Sequence, residues 1–98
     1  MEKRTPHCSL ARVQALLAEG LVRITHAETK GAAELGISEE QLLAGVAQLT
    51  RGDFYKSMTS FADHRVWHDV YRPMTPVGRV YLKLVVINDL LIVSFKEL

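Results

Sequence analysis

Residues 79–96 read RVYLKLVVINDLLIVSFK, and this stretch decides the fold. Two runs rich in β-branched and aromatic residues, 79–87 and 90–96, meet at Asn88-Asp89. That pair suits a two-residue hairpin turn. With Asn88 and Asp89 as the loop, Leu82 faces Phe95, Leu84 faces Val93 and Val86 faces Leu91. All three pairs are apolar, so the spacing predicts that this face packs a core. On the opposite face Tyr81 lies across from Lys96, and Lys83 across from Ser94. Facing Cβ atoms in such a ladder are roughly 4.5–5.5 Å apart, so Tyr81 and Lys96 can serve one site.

Working outward, 53–60 and 65–72 also read as strands, the second of them aromatic and β-branched. Pro73, Pro76 and Gly78 mark a loop between them and the hairpin. The first half of the chain reads as helices. Ser9 is placed to cap one that carries Leu10, Val13, Leu16 and Leu17 at helical spacing and closes at Gly20. Residues 21–25 form a short strand or an extended connector. Thr25 can cap a second helix that ends at Gly36, with Gly31 weakening it. Ser38 followed by Gln41 is a capping box opening a third, with Leu42, Leu43, Val46 and Leu49 along one side. Gly52 ends the helical part. Helices followed by consecutive strands predict an α+β fold, N-terminal helices packed on an antiparallel β-sheet.

The 98 residues suit one domain spanning 1–98, with a modest core. A hydrophobic fraction of 48% and a charged fraction of 23% are those of a globular protein and argue against disorder. No apolar run approaches the roughly 18 residues of a membrane span. The N-terminus lacks the apolar middle of a signal peptide, so the expected location is the cytoplasm. The single Cys8 excludes an intrachain disulfide and a thiolate-rich zinc site, and reads as a structural thiol. Net charge is only +1, but Lys56, Arg65, Arg72, Arg79, Lys83 and Lys96 all lie in the strand half, where a few phosphates could be contacted.

The polar residues of that half are Lys56, His68, Arg72, Tyr81, Lys83 and Lys96. Paired carboxylates, a Ser-His-Asp pattern and a glycine-rich phosphate loop are all missing. Cations with one imidazole and one phenol suit RNA cleavage by the substrate's own 2′-hydroxyl. The protein must then move two protons and neutralise a phosphorane, and it needs no metal or other cofactor. His68 titrates near neutrality and is the natural proton carrier. Each residue also has a plainer explanation: Lys56 as a solvated charge, Tyr81 and Lys96 as a cross-strand pair, His68 as a structural histidine. His64 and His68 would share a face on a helix, but on a strand they do not, and no third metal ligand sits at a recognisable spacing. Trp67 and Phe61 could stack on bases, although Trp67 falls on the opposite strand phase from His68. Arg72, Arg79 and Lys83 are the residues placed for phosphate contact.

The segments MEKRTPH at 1–7, DFYKSMTS at 53–60, DH at 63–64, WHDVYRP at 67–73, VYLK at 80–83 and LIVSFKE at 91–97 carry a resemblance. By them the chain resembles the MqsR family, toxins of bacterial type II toxin–antitoxin pairs in the RelE-like ribonuclease superfamily. Residues 8–50 are the more divergent part. The resemblance implies a RelE-like fold and an mRNA endonuclease that cleaves at GCU-like sequences and arrests translation. It also implies a cognate antitoxin with a zinc-binding N-terminal domain and a helix-turn-helix C-terminal domain, so that DNA is met only through that partner. Position by position, the family's catalytic lysines match Lys56 and Lys96, and its tyrosine matches Tyr81. Where the family pattern has glutamine this chain has His68, which can transfer protons as well as hydrogen-bond. Where the family can have histidine this chain has Asn88, which favours the turn. The alternative expectation is a non-catalytic RNA-binding or regulatory module that keeps the fold without the reaction.

Overall fold

The computed structural model describes residues 1–97. Three helices occupy the first half: α1 (Leu10–Ala18), α2 (His26–Glu34) and α3 (Glu39–Ala47). Each begins where the sequence offers an oxygen to an unpaired helical N–H. Ser9 accepts from the Arg12 amide, Thr25 from Glu28, and Ser38 from Gln41, whose side chain returns a bond to the Ser38 amide. Gly20 and Gly36 end α1 and the α2 segment at φ of 74° and 79°, a left-handed conformation that glycine adopts freely.

The strands are β1 (Glu2–Lys3), β2 (Val22–Ile24), β3 (Phe54–Thr59), β4 (Trp67–Tyr71), β5 (Met74–Thr75), β6 (Gly78–Val86) and β7 (Leu90–Glu97). Among the described residues, six of them form a sheet in the order β1-β3-β4-β6-β7-β2, with β5 folded back on β6. Neighbours are antiparallel except β2, which runs parallel to β7. That parallel edge follows from chain order: α2, α3 and the antiparallel strands separate β2 from β7, which is ample length for a crossover. Arg23 of β2 forks onto the Asp89 carboxylate at 2.8 and 3.1 Å, and Glu28 of α2 accepts the Phe95 amide at 2.7 Å. Both contacts tie the helical half to the last strand.

The 79–96 hairpin departs from the expected register near its turn. Val86 pairs with Leu90, so the loop has three residues, Ile87, Asn88 and Asp89. Asn88 takes φ of 74°, the left-handed residue such a loop requires. Leu84 therefore pairs with Ile92 rather than Val93, and Val86 with Leu90 rather than Leu91. One extra residue on β7, between Ile92 and Ser94, forms a bulge that restores the expected ladder. Beyond it Lys83 faces Ser94, Leu82 faces Phe95 and Tyr81 faces Lys96, as the sequence predicted. The longer turn and the bulge shift the register in opposite directions and cancel before the polar residues are reached. The side chains at 91 and 93 lie outside the described residues.

The core lies between the helices and one face of the sheet. Val13, Leu16, Ala32, Ile37, Leu42, Val46 and Leu49 meet Tyr71, Val80, Leu82, Leu84, Leu90, Ile92 and Phe95. Each large side chain removed from water there contributes about 1.5–3 kcal/mol. Among the described residues the other face of the sheet carries no helix, yet Val70 and Val85 on it are buried. They form a small apolar floor under the long side chains around them. Among the described residues no helix is long and apolar enough to cross a membrane.

Candidate active face of the sheet

Backbone register alone brings the sequence-singled residues to the helix-free face. Lys56 of β3 pairs with Val70 of β4, Val70 with Lys83 of β6, and Lys83 with Ser94 of β7. One row along, His68 pairs with Met58. One row the other way, Tyr81 pairs with Lys96. Residues paired in this way, and residues two apart on one strand, share a face. Lys56, His68, Tyr81, Lys83 and Lys96 therefore share one surface above Val70 and Val85.

Side-chain contacts tighten that surface. The Lys83 ammonium lies 5.7 Å from the centre of the Tyr81 ring. Lys83 also acts on His68: burial first, and then this nearby cation, hold the imidazole below its ordinary pKa against the opposing pull of Asp69. His68 is thus kept neutral, the form that accepts a proton. Lys56 forms an ion pair and hydrogen bond with Glu2 of β1. That contact holds the Lys56 ammonium above its ordinary pKa, with Tyr55 and Tyr81 adding to the shift. Its side chain is only 18% exposed, so its stem is packed while its charge is satisfied.

Of the other two expected phosphate-contact residues, Arg72 joins this cluster only at its Tyr55 edge, and Arg79 stands beyond it. Arg79 Nη1 donates to the Arg72 carbonyl at 2.7 Å, at the β5 end of the sheet. The Arg72 guanidinium lies 4.0 Å from the centre of the Tyr55 ring. Tyr55 is a residue the sequence reading passed over. Strict alternation would put it on the face opposite Lys56, but a register shift between Phe54 and Lys56 makes it the extra residue of a bulge. Arg4, Arg72 and Lys56 all approach its ring, at 5.8, 4.0 and 5.3 Å. A π-face ringed by three cations is both a stacking surface and a focus of positive potential.

The reverse face holds the other aromatic. Trp67 stacks on His7 with ring centres 5.5 Å apart, and the Lys3 ammonium sits 4.3 Å from its ring. The strand phase had predicted this side for it. Asp69, buried on the same side, accepts the His7 and Cys8 amides at 2.9 Å each and so pins the N-terminal segment across the sheet. Burial and this carboxylate push the Cys8 thiol up, which leaves it an unactivated structural thiol. Phe61, in the connection between β3 and β4, is fully exposed. Among the described residues no group of three or more His, Cys, Asp or Glu could hold a metal ion.

Fold and face together define a class: a small α+β protein with helices on one side of its sheet and cations, an imidazole and a phenol on the other. A family model described as motility quorum-sensing regulator, toxin of MqsA, matches residues 5–97. The mRNA interferase toxin MqsR of Escherichia coli (strain K12) is 50% identical over 97 residues, 99% of this chain and 99% of that one. The chain belongs to the MqsR toxin family.

Proposed function

We propose that the chain is an endoribonuclease toxin that cuts mRNA at GCU-like sequences in the cytoplasm by metal-independent attack of the RNA's 2′-hydroxyl. What carries this reading is the convergence on one face of Lys56, His68, Tyr81 and Lys96, with His68 held in its proton-accepting form. The similar E. coli protein is named an mRNA interferase toxin, which supports the same substrate.

Each step has a residue. Neutral His68 takes the 2′-hydroxyl proton as the 2′-oxygen bonds to phosphorus. The bond to the 5′-oxygen breaks, and that oxygen takes a proton from Tyr81 or a lysine ammonium. The products are a 2′,3′-cyclic phosphate and a 5′-hydroxyl. Lys56 and Lys96 stabilise the phosphorane dianion, where fixed cations in a partly dry site act most strongly. Tyr81 orients the phosphate, and Lys83, Arg72 and Arg79 hold flanking phosphates. The partner is a protein antitoxin that silences the toxin, in keeping with the family's description. That antitoxin has a zinc-binding N-terminal domain and a helix-turn-helix C-terminal domain, and it carries any DNA contact.

The test is cleavage of a GCU-containing RNA by the purified chain in EDTA, with product ends identified by mass. A cyclic phosphate is expected, with loss of cleavage in Lys56→Ala, His68→Ala and Lys96→Ala. Loss of activity in EDTA would defeat the metal-free chemistry. An intact chain that binds RNA without cutting it would favour a regulatory module.

A further inference from the structure

We propose that Glu2 is a positioning residue for this reaction, working through Lys56 by clamping its ammonium over the helix-free face. The inference rests on Lys56 acting on the phosphate, as proposed above.

The geometry favours a clamp over a plug. β1 lies outside β3 at the sheet edge, whereas His68, Tyr81 and Lys96 stand on β4, β6 and β7, toward its interior. Glu2 pairs in register with Met58, two residues beyond Lys56 on the same face. Its carboxylate therefore reaches Lys56 from the edge side. A lysine ammonium has three donors. The bond to Glu2 fixes the direction of the group and leaves donors for a phosphate arriving from the interior.

The charge environment explains why a clamp is needed. The titratable and charged groups around Lys56 are Glu2 and Arg4 on the N-terminal segment, Tyr55 on β3, His68 on β4, and Arg72 just past it. Tyr81 on β6 also acts on Lys56, and Lys83 on β6 and Lys96 on β7 stand further along the same face, among the described residues. Apart from Glu2, none carries negative charge at neutral pH. Burial alone pulls the Lys56 ammonium toward losing its proton or swinging to solvent, and Glu2 opposes it. The Glu2 hydrogen bond is the largest influence holding it protonated, and Lys56 in turn holds the Glu2 carboxyl below its ordinary range. With Lys56 kept cationic and His68 kept neutral, the two groups enter the reaction in opposite protonation states. One stays charged to meet the phosphorane, and the other stays free to take the 2′-hydroxyl proton.

The experiment uses the full chain with Glu2→Gln, Glu2→Asp and Lys56→Ala. Steady-state and single-turnover cleavage of a GCU-containing RNA are followed from neutral to alkaline pH, and Lys56 is titrated directly by side-chain NMR. Glu2→Gln should lower kcat about tenfold with KM changed less than about twofold, and Glu2→Asp should recover part of it. In Glu2→Gln the alkaline limb of the rate profile and the Lys56 titration should both move to lower pH. If neither moves, or if Glu2→Gln cleaves faster than the parent, the clamp is overturned; the faster rate would mean that Glu2 obstructs the phosphate. Lys56→Ala separates the two failures. If Lys56→Ala cleaves normally, the role proposed for Lys56 falls. If Lys56→Ala is dead while Glu2→Gln matches the parent, only the Glu2 inference falls. Glu2 is exposed and glutamine has its shape, so unchanged amide spectra are the check on the fold.

Discussion

Replacing His68 by glutamine separates two roles that the wild-type chain superimposes. Glutamine can hydrogen-bond from the same strand position but cannot carry a proton. His68 is half-buried beside Met58, and burial together with Lys83 lowers its pKa, so the neutral base predominates at neutral pH. A positioned general base accelerates such a step by about 10²–10⁴-fold, or about 3–5 kcal/mol of barrier. If His68 takes the 2′-hydroxyl proton, His68→Gln and His68→Ala should fall by similar factors within that range. The parent's rate should decline on the acid side as the imidazole protonates, at a pH below the ordinary histidine value. That decline should vanish in both variants. The same shift has a stability consequence. A histidine with a depressed folded-state pKa contributes stability that is present above its unfolded value and lost as pH falls through the folded one. Stopped-flow or quenched cleavage of a short RNA across the acid range, with urea melts at the same pH values, measures both. A His68→Gln chain that cleaves within about threefold of the parent, with its acid limb intact, would refute the proton-transfer role.

Tyr71 is fully buried, its hydroxyl has no hydrogen-bond partner among the described residues, and burial pushes its phenol up. Tyr71→Phe keeps the edge contact with Phe54 and should leave stability unchanged or raise it by about 1–3 kcal/mol in urea melts; a clear loss would mean that the hydroxyl is satisfied. Asp69→Asn keeps one acceptor oxygen for two amides, so stability should fall by about 1–3 kcal/mol, with faster hydrogen exchange at His7 and Cys8. Asn88→Gly should be tolerated at its positive φ, whereas Asn88→Val should cost about 1–2 kcal/mol in the same melts.

The hairpin shows how much of this arrangement the sequence could express, and why. Apolar alternation is a period-two signal, so it located β6, β7 and their two faces from residues 79–96 alone. It could not count the residues in the turn, because Asn-Asp serves two-residue and three-residue loops alike. A one-residue bulge on β7 then leaves the polar pairs where the shorter loop would have put them. Tyr81 opposite Lys96 was therefore read correctly through two compensating irregularities. Tyr55 was missed for the related reason that a bulge on β3 breaks the alternation without leaving a composition signal. β1 was missed because two residues are too few for any period, and Glu2 went with it.

That omission bears on how the site works. The strand half of the sequence supplies cations, an imidazole and a phenol, but their protonation states depend on burial and on which groups the fold sets side by side. Those come from residues that only the fold brings close: Glu2 beside Lys56, and Lys83 beside His68. Both neighbours act in the direction the proposed chemistry needs, one retaining a proton and the other excluding it. Arg72 lies over the Tyr55 ring, and Arg79 donates to the Arg72 carbonyl beside it, which is where the proposed chemistry would hold a flanking phosphate. A pattern of residue types can thus name the reaction class, but the protonation states the proposed chemistry needs depend on the tertiary structure.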